Sequence, residues 1–488
     1  MKDNLIKKFM QFGMGNIIVL MLGFISSPLI TRLISPEQMG KFSMFSTVCN
    51  LLLIICTLGL DQSYVRFFFE EEEQLRGSLL RKSISIPIKI SVLISIIMLF
   101  FYKYISRLIV GKETLDVILI MIIHIFFSVL GRFGLLVVRM QQKAKLYSKL
   151  QVLGKLSYIL LTIGSFVIFR DNYITLMMAL TLSNVIVVSV SIYLEKNSWN
   201  LKADNLDNNV VLKTNLTELI RYGTPLIFST AIVWIFQSID KITLNTFSGY
   251  EELGMYTAAF SIVSLLNALK NTFTTFWVPV ANEHYISNPD DTSFYIQANK
   301  IVSFCMLIVG VILIGFKDII ILLLGSKYKE SVFIFPFLVF IPIMYTISET
   351  TVIGIGFKKK NKYHIYISFI SALINILGNM ILVKNLGAKG AAISTGVAYI
   401  VFFYLRTYFS NKVYKVNYCL GRFYISILML SILALYSTIY TINLTSIIIT
   451  TLSIIIICYL YKDILNIFIN KFNYILEKGK NNNCKTMI

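Results

Sequence analysis

Asn267, Lys270, Asn271, Thr274 and Thr275 recur at i, i+3, i+4, i+7 and i+8, one face of a helix. The run that contains them, Gly254 to Asn282, is mostly apolar, with Lys270 near its centre. A second stripe joins His124, Ser128, Arg132 and Arg139 within about 80° of arc at 100° per residue. Lys89 and Lys155 are the other cations inside apolar runs. A charge at mid-bilayer costs roughly 2.5–3.5 kcal/mol, so four facing lipid would cost about 10–14 kcal/mol. Lys270 and Arg132 are therefore expected to face water or a partner. Lys89 and Lys155 lie nearer a run end, where they can face a cavity or snorkel to the headgroups. Asparagine and histidine in such stripes can also be glue between helices, but glue rarely needs a full charge.

Glu349 is expected to be the only acid well inside an apolar run. It falls at nearly the depth of Arg132 in the other half of the chain, which points to an ion pair or a proton-binding acid that couples motion to a gradient. Asp61 and Asp240 are expected to close their runs near opposite faces, as gates or caps, with Asp240 a second coupling candidate. Asn375 and Asn379, with Ser368, Ser371 and Ala372, mark one helix face that either lines a cavity or bridges helices.

The elements that carry these residues follow from composition. Of 488 residues, 56% are hydrophobic and 14% charged; a soluble domain carries about 25% charged residues. Apolar spans of about 20 residues cross a bilayer as helix, and fourteen can be read: Phe12–Ile34, Met39–Leu60, Ile84–Ile105, Leu115–Arg139, Leu150–Phe169, Tyr173–Leu194, Leu219–Leu244, Gly254–Asn282, Ile301–Phe316, Ser331–Phe357, Tyr363–Val383, Gly390–Phe409, Phe423–Tyr440 and Leu444–Tyr461. The first exceeds a signal peptide's core and is expected to be retained. Ile319–Gly325 is too short to cross. The fold class is thus an all-α polytopic membrane protein.

Net charge is +20, and topology explains it better than nucleic acid does. Lys and Arg in alternate loops favour one side by more than two to one. The richer side includes Lys2, Lys7 and Lys8, the cluster Lys358, Lys359, Lys360 and Lys362, the group Arg406, Lys412, Lys415 and Arg422, and the tail with Lys471, Lys478, Lys480 and Lys485. The positive-inside rule makes this side cytoplasmic, with both termini. The six cysteines contain no CxxC pair, and the three histidines no HxxxH. No metal or cofactor is expected.

Two echoes expose an internal repeat. Pro36-Glu-Gln-Met-Gly-Lys-Phe42 matches Tyr250-Glu-Glu-Leu-Gly-Met-Tyr256, and Lys143-Ala-Lys-Leu-Tyr147 matches Lys359-Lys-Asn-Lys-Tyr363, at offsets of 214 and 216. Six spans per half keep the same orientation, so the halves are parallel repeats. The expected organisation is an N-lobe at 1–195, a cytoplasmic linker at 196–218, a C-lobe at 219–410, and two added helices with a tail at 411–488. Two such lobes form the architecture of an alternating-access carrier, with the ligand at the repeat interface.

The chain resembles bacterial polysaccharide flippases of the Wzx type, in the superfamily with MATE exporters and the lipid II flippase MurJ. The resemblance rests on Leu33-Ile-Ser-Pro-Glu-Gln-Met-Gly-Lys-Phe42, Gly59-Leu-Asp-Gln-Ser-Tyr-Val-Arg-Phe67, Asp240-Lys241 before Gly254-Met-Tyr256, and Asn375-Ile-Leu-Gly-Asn379 followed by Leu386-Gly-Ala-Lys-Gly-Ala-Ala392. It implies fourteen helices in the inner membrane of a bacterium and export of an undecaprenyl-diphosphate-linked oligosaccharide for surface polysaccharide such as O-antigen or capsule. It also implies a polysaccharide polymerase and chain-length proteins as partners. Under that reading Lys270, Arg132, Asn267, Asn271, His124, Lys89 and Lys155 bind substrate, the cations meeting the diphosphate. Glu349 and Asp240 couple export to a proton or sodium ion, and Asn375 and Asn379 line the lumen. The competing reading is a MATE-like exporter of small molecules, whose cation pocket would be acidic and aromatic. A membrane polymerase or glycosyltransferase would need an extramembrane loop with paired carboxylates, and no loop is long enough to be a domain, the longest being the Asn- and Asp-rich stretch near 195–218. A scaffold would not need deep cations.

Overall fold

The computed structural model describes the backbone of residues 2–199 and 212–466, and the side chains of 18–199, 212–267 and 270–466. Most of the expected linker and the tail lysines Lys471, Lys478, Lys480 and Lys485 lie outside the described residues, as do the side chains of Lys2, Lys7 and Lys8. Among the described residues all regular structure is helical.

The first half begins with α1 (Lys2–Leu33), α2 (Pro36–Thr57), α3 (Leu60–Phe67), α4 (Arg76–Phe100) and α5 (Tyr102–Val110). It continues with α6 (Leu115–Met140), α7 (Ala144–Phe169), α8 (Tyr173–Leu194) and α9 (Lys196–Trp199). The second half opens with α10 (Leu216–Phe247), α11 (Gly249–Val263), α12 (Leu266–Ser287), α13 (Ser293–Gly315) and α14 (Lys317–Ile321). After these come α15 (Phe335–Leu338), α16 (Phe340–Thr351), α17 (Ile353–Phe357), α18 (Lys362–Val413), α19 (Gly421–Ile439) and α20 (Leu444–Leu460). Nine described helices are long and apolar enough to cross a membrane, and a bent pair from Ser326 to Thr351, broken by 63°, would make ten. Their outer faces expose large apolar side chains such as Leu93, Ile96, Leu160, Val167, Phe228 and Ile381. Such a surface belongs in lipid rather than in water.

Several expected spans are not single straight helices. The eighth is interrupted at Ser264–Leu265, between α11 and α12. There the Ser261 hydroxyl donates to the Ala258 carbonyl and the Ser264 hydroxyl to the Ser261 carbonyl, both at 2.7 Å; such back-bonding bends helices. The tenth is split into α15, α16 and α17. Pro336 and Pro342 each sit in the first turn of a piece, where proline starts a helix but cannot continue the previous one. The eleventh and twelfth run together as α18, interrupted at Gly387. Its φ of 54° is left-handed, which glycine adopts without strain.

The chain packs into two compact units. The first comprises Met1–Ala268, Leu323–Lys329 and Ser368–Ala391. Here α2 packs against α11, and the two segments of the first echo meet. A Cβ on Gly40 would overlap the Tyr250 carbonyl, and one on Gly254 would overlap the Pro36 carbonyl. Each segment also caps a distant helix. Gln38 Oε1 accepts from the Tyr173 amide at the start of α8, at 3.2 Å, and Glu252 Oε2 accepts from the Ala388 amide just after the break in α18, at 2.8 Å. Gln38 and Glu252 stand 214 positions apart, the offset of the first echo, and their targets Tyr173 and Ala388 stand 215 apart.

The second unit comprises Leu269–Leu322, Glu330–Ile367 and Ala392–Ile488. In it α13 packs against α16, α19 and α20. Trp277, Tyr295, Ile353 and Tyr418 form an aromatic core at one end.

Candidate functional site

Three charge clusters carry the polar chemistry. In the second unit, α12 presents Lys270, α16 presents Tyr345, Ser348 and Glu349, and the last part of α18 presents Arg406. The Lys270 ammonium lies 4.2 Å from the Tyr345 ring centre and the Arg406 guanidinium 4.9 Å from it. Arg406 Nη2 donates to Glu349 Oε1 at 2.8 Å and Nη1 to Ser348 Oγ at 2.6 Å. The Trp277 indole donates to the Glu349 carbonyl at 3.1 Å, which ties α12 to α16. Arg406 and Glu349 are both buried, and each supplies what the other's burial requires. The cluster therefore holds two cations and one carboxylate. Lys270 makes no ion pair among the described residues, so its charge is the excess. A cavity of about 210 Å³ beside the pair is lined by Glu349, Arg406, His364 and Asn282.

In the first unit, Arg132 on α6 binds Asp61 on α3. Its Nε and Nη2 both donate to Asp61 Oδ2, at 2.9 and 2.7 Å. Leu58 and Gly59, both at positive φ, end α2 and start α3, which turns Asp61 inward. The third cluster surrounds Asp240. Asn375 and Asn379 donate to its Oδ1 at 3.0 and 2.8 Å, and the Tyr256 hydroxyl donates to its Oδ2 at 2.7 Å. All four residues are buried. A carboxylate taken out of water needs such donors.

The expected partner of Glu349 was Arg132; the structure corrects this. Arg132 holds Asp61, and Glu349 holds Arg406. Equal depth sets a level in the membrane but not a direction around the helix. Arg406 is buried on α18 rather than one of the loop cations. Asp240 lies well inside α10, which runs on to Phe247, so it does not end its helix and Glu349 is not alone among embedded acids. Asn375 and Asn379 bridge helices by binding Asp240.

The second stripe is held partly by helix packing. His124 Nδ1 and Thr181 Oγ1 are 3.4 Å apart, and Asn184 donates to Ser128 Oγ at 2.9 Å. Lys155 lies 5.5 Å from the Tyr158 ring centre, and Lys89 is exposed. Neither lysine joins an ion pair among the described residues. Asn267 and Asn271 flank Lys270 on α12, Asn271 being exposed. Sequence reasoning missed Arg406, Tyr345 and the role of Asp61. Arg406 had a signal, since it falls inside the expected span Gly390–Phe409; Tyr345, one of 27 tyrosines, had none.

Residues 5–284 match the model of a family described as polysaccharide biosynthesis protein. The chain belongs to that family. A comparison with curated proteins returns no match. Among solved structures, the chain is similar to a lipid II flippase MurJ in an inward closed conformation, with a TM-score of 0.70 and 17% identity over 93% of this chain and 99% of that one. It is also similar to a multidrug resistance MATE family transporter of the MOP superfamily in an inward-facing conformation, with a TM-score of 0.61 and 17% identity over 82% of this chain and 94% of that one. The outward-facing form of such a transporter gives 0.57 and 16%, over 83% and 95%. At these identities the likeness is one of fold. Family and fold together are those of flippases and transporters, which agrees with the resemblance read from the sequence motifs.

Proposed function

We propose that this family member exports an undecaprenyl-diphosphate-linked oligosaccharide from the inner to the outer leaflet of a bacterial cytoplasmic membrane, by alternating access, for surface polysaccharide biosynthesis. Fourteen spans in two parallel lobes, 1–195 and 219–410, with both termini cytoplasmic, complete the reading. The matched caps from Gln38 and Glu252 support the repeat. The observation that carries the function is the excess cation Lys270. It stands beside Tyr345, where Arg406 and Glu349 neutralise each other. A diphosphate offers several charges and acceptor oxygens, and a site of low dielectric strengthens both kinds of contact.

A MATE-like exporter of cations needs an uncommitted acid in its cavity. Asp61 and Glu349 are each held by an arginine, which disfavours that reading. Asp240, which accepts from the side chains of Asn375, Asn379 and Tyr256, is the candidate for coupling to a proton or sodium ion.

The test is genetic. A strain lacking the gene should lose surface polysaccharide and accumulate its lipid-linked repeat unit in the cytoplasmic leaflet. Normal polysaccharide, combined with greater sensitivity to cationic drugs, would instead select the exporter.

A further inference from the structure

A second polar cavity, of about 630 Å³, lies in the first unit, and no residue of the three charge clusters lines it. It is built where the segment after α3, the start of α4, the α6–α7 turn and the end of α8 with α9 converge. By the loop-charge count this is the cytoplasmic end. Its volume is that of a small-molecule site. Its charges balance: Arg76 and Lys143 against Glu73 and Glu195. Lys143 Nζ is 2.6 Å from Glu195 Oε1, and Arg76 lies over the Phe68 ring at 4.6 Å and donates to the Phe68 carbonyl at 3.2 Å. With the cations committed in this way, a phosphate or nucleic acid would find no excess positive charge.

The rest of the wall consists of carboxamides and hydroxyls. Gln74, Gln141, Gln142, Asn197 and Ser198 line it, with the exposed ring of Phe69 at one side. Gln141 donates to Ser198 Oγ at 3.0 Å, which fixes one pair of these groups. Side-chain amides and carboxylates offer donors and acceptors in the spacing of adjacent hydroxyls. An aromatic face packs against the C–H face of a sugar ring. The ligand that matches a neutral, amide-rich, partly aromatic cavity in water is a polyol.

We propose that this cavity is a saccharide-binding site, which holds the sugar end of the lipid-linked oligosaccharide on the cytoplasmic side before translocation. The role in translocation rests on the proposed function; the saccharide site itself does not. The test is isothermal calorimetry on the full chain in lipid nanodiscs. The probe is the lipid-free repeat-unit oligosaccharide, released by acid from the producing cell's own surface polysaccharide. Binding should saturate in wild type. Gln74→Ala should weaken it about tenfold, the value of one or two polar contacts, and Asn197→Trp, which fills the cavity, should abolish it. Both residues are exposed, so neither change threatens folding. Absence of saturable binding, or equal binding by Asn197→Trp, overturns the site. Sugar binding without any translocation of the lipid-linked form would leave the site standing and refute the flippase.

Discussion

Ser43 and Thr257 stand 214 positions apart and hydrogen-bond to each other, with the hydroxyl oxygens at 2.9 Å. That spacing equals the offset of the first echo, so under the proposed two-lobe reading these are counterpart residues in direct contact. Counterparts touch only where a repeat axis passes between them. On that reading the crossing of α2 and α11 is built around the repeat, and Gly40 and Gly254 let the backbones close.

Cysteines placed at Ser43 and Thr257 should therefore form a disulfide in membranes under mild oxidant. Gly254→Leu, which drives a side chain into the Pro36 carbonyl, should lower the yield several-fold. Equal cross-linking in Gly254→Leu would mean that the crossing tolerates separation and is not a close-packed hinge.

Removing one partner of a buried ion pair leaves an unpaired charge, at about 3–5 kcal/mol. Arg406→Met and Glu349→Gln should each lower the melting temperature of the purified protein substantially, while the double variant recovers most of the loss. Additive losses would show that the two residues act apart.

At Asp240, Asn379→Ala removes one of the donors to a buried carboxylate and should cost about 1–3 kcal/mol. Asp240→Asn should make reconstituted transport insensitive to an imposed proton or sodium gradient. Unchanged gradient dependence would reduce Asp240 to a structural role.

The helices are legible in the sequence because bilayer-length apolar runs allow little else. The stripe around Lys270 is legible because α12 keeps the 3.6-residue period through Thr275. The partner of Glu349 is not legible. Depth along a span can be counted, but the direction in which Arg132 or Arg406 points depends on how α6 and α18 are rotated. Asp61 is hidden in a similar way, since its inward turn depends on left-handed Leu58, which no residue preference announces. The breaks at Ser264 and Pro336 are encoded in serine and proline, yet they fall within runs whose hydropathy is continuous.

Single cysteines test the topology. A cysteine in place of Lys359 should react with a membrane-impermeant maleimide only after the cytoplasmic face is opened, and one in place of Glu251 should react from outside in intact cells. Labelling of both from the same side would break the two-lobe account.

The central claim is that the Lys270 charge receives the diphosphate. The measurement is translocation of a labelled undecaprenyl-diphosphate-linked oligosaccharide across proteoliposomes that contain equal amounts of folded wild type, Lys270→Ala or Lys270→Arg. The account predicts near-complete loss in Lys270→Ala and partial activity in Lys270→Arg, because arginine keeps the charge but not the compact ammonium. Translocation by Lys270→Ala at the wild-type rate would contradict it.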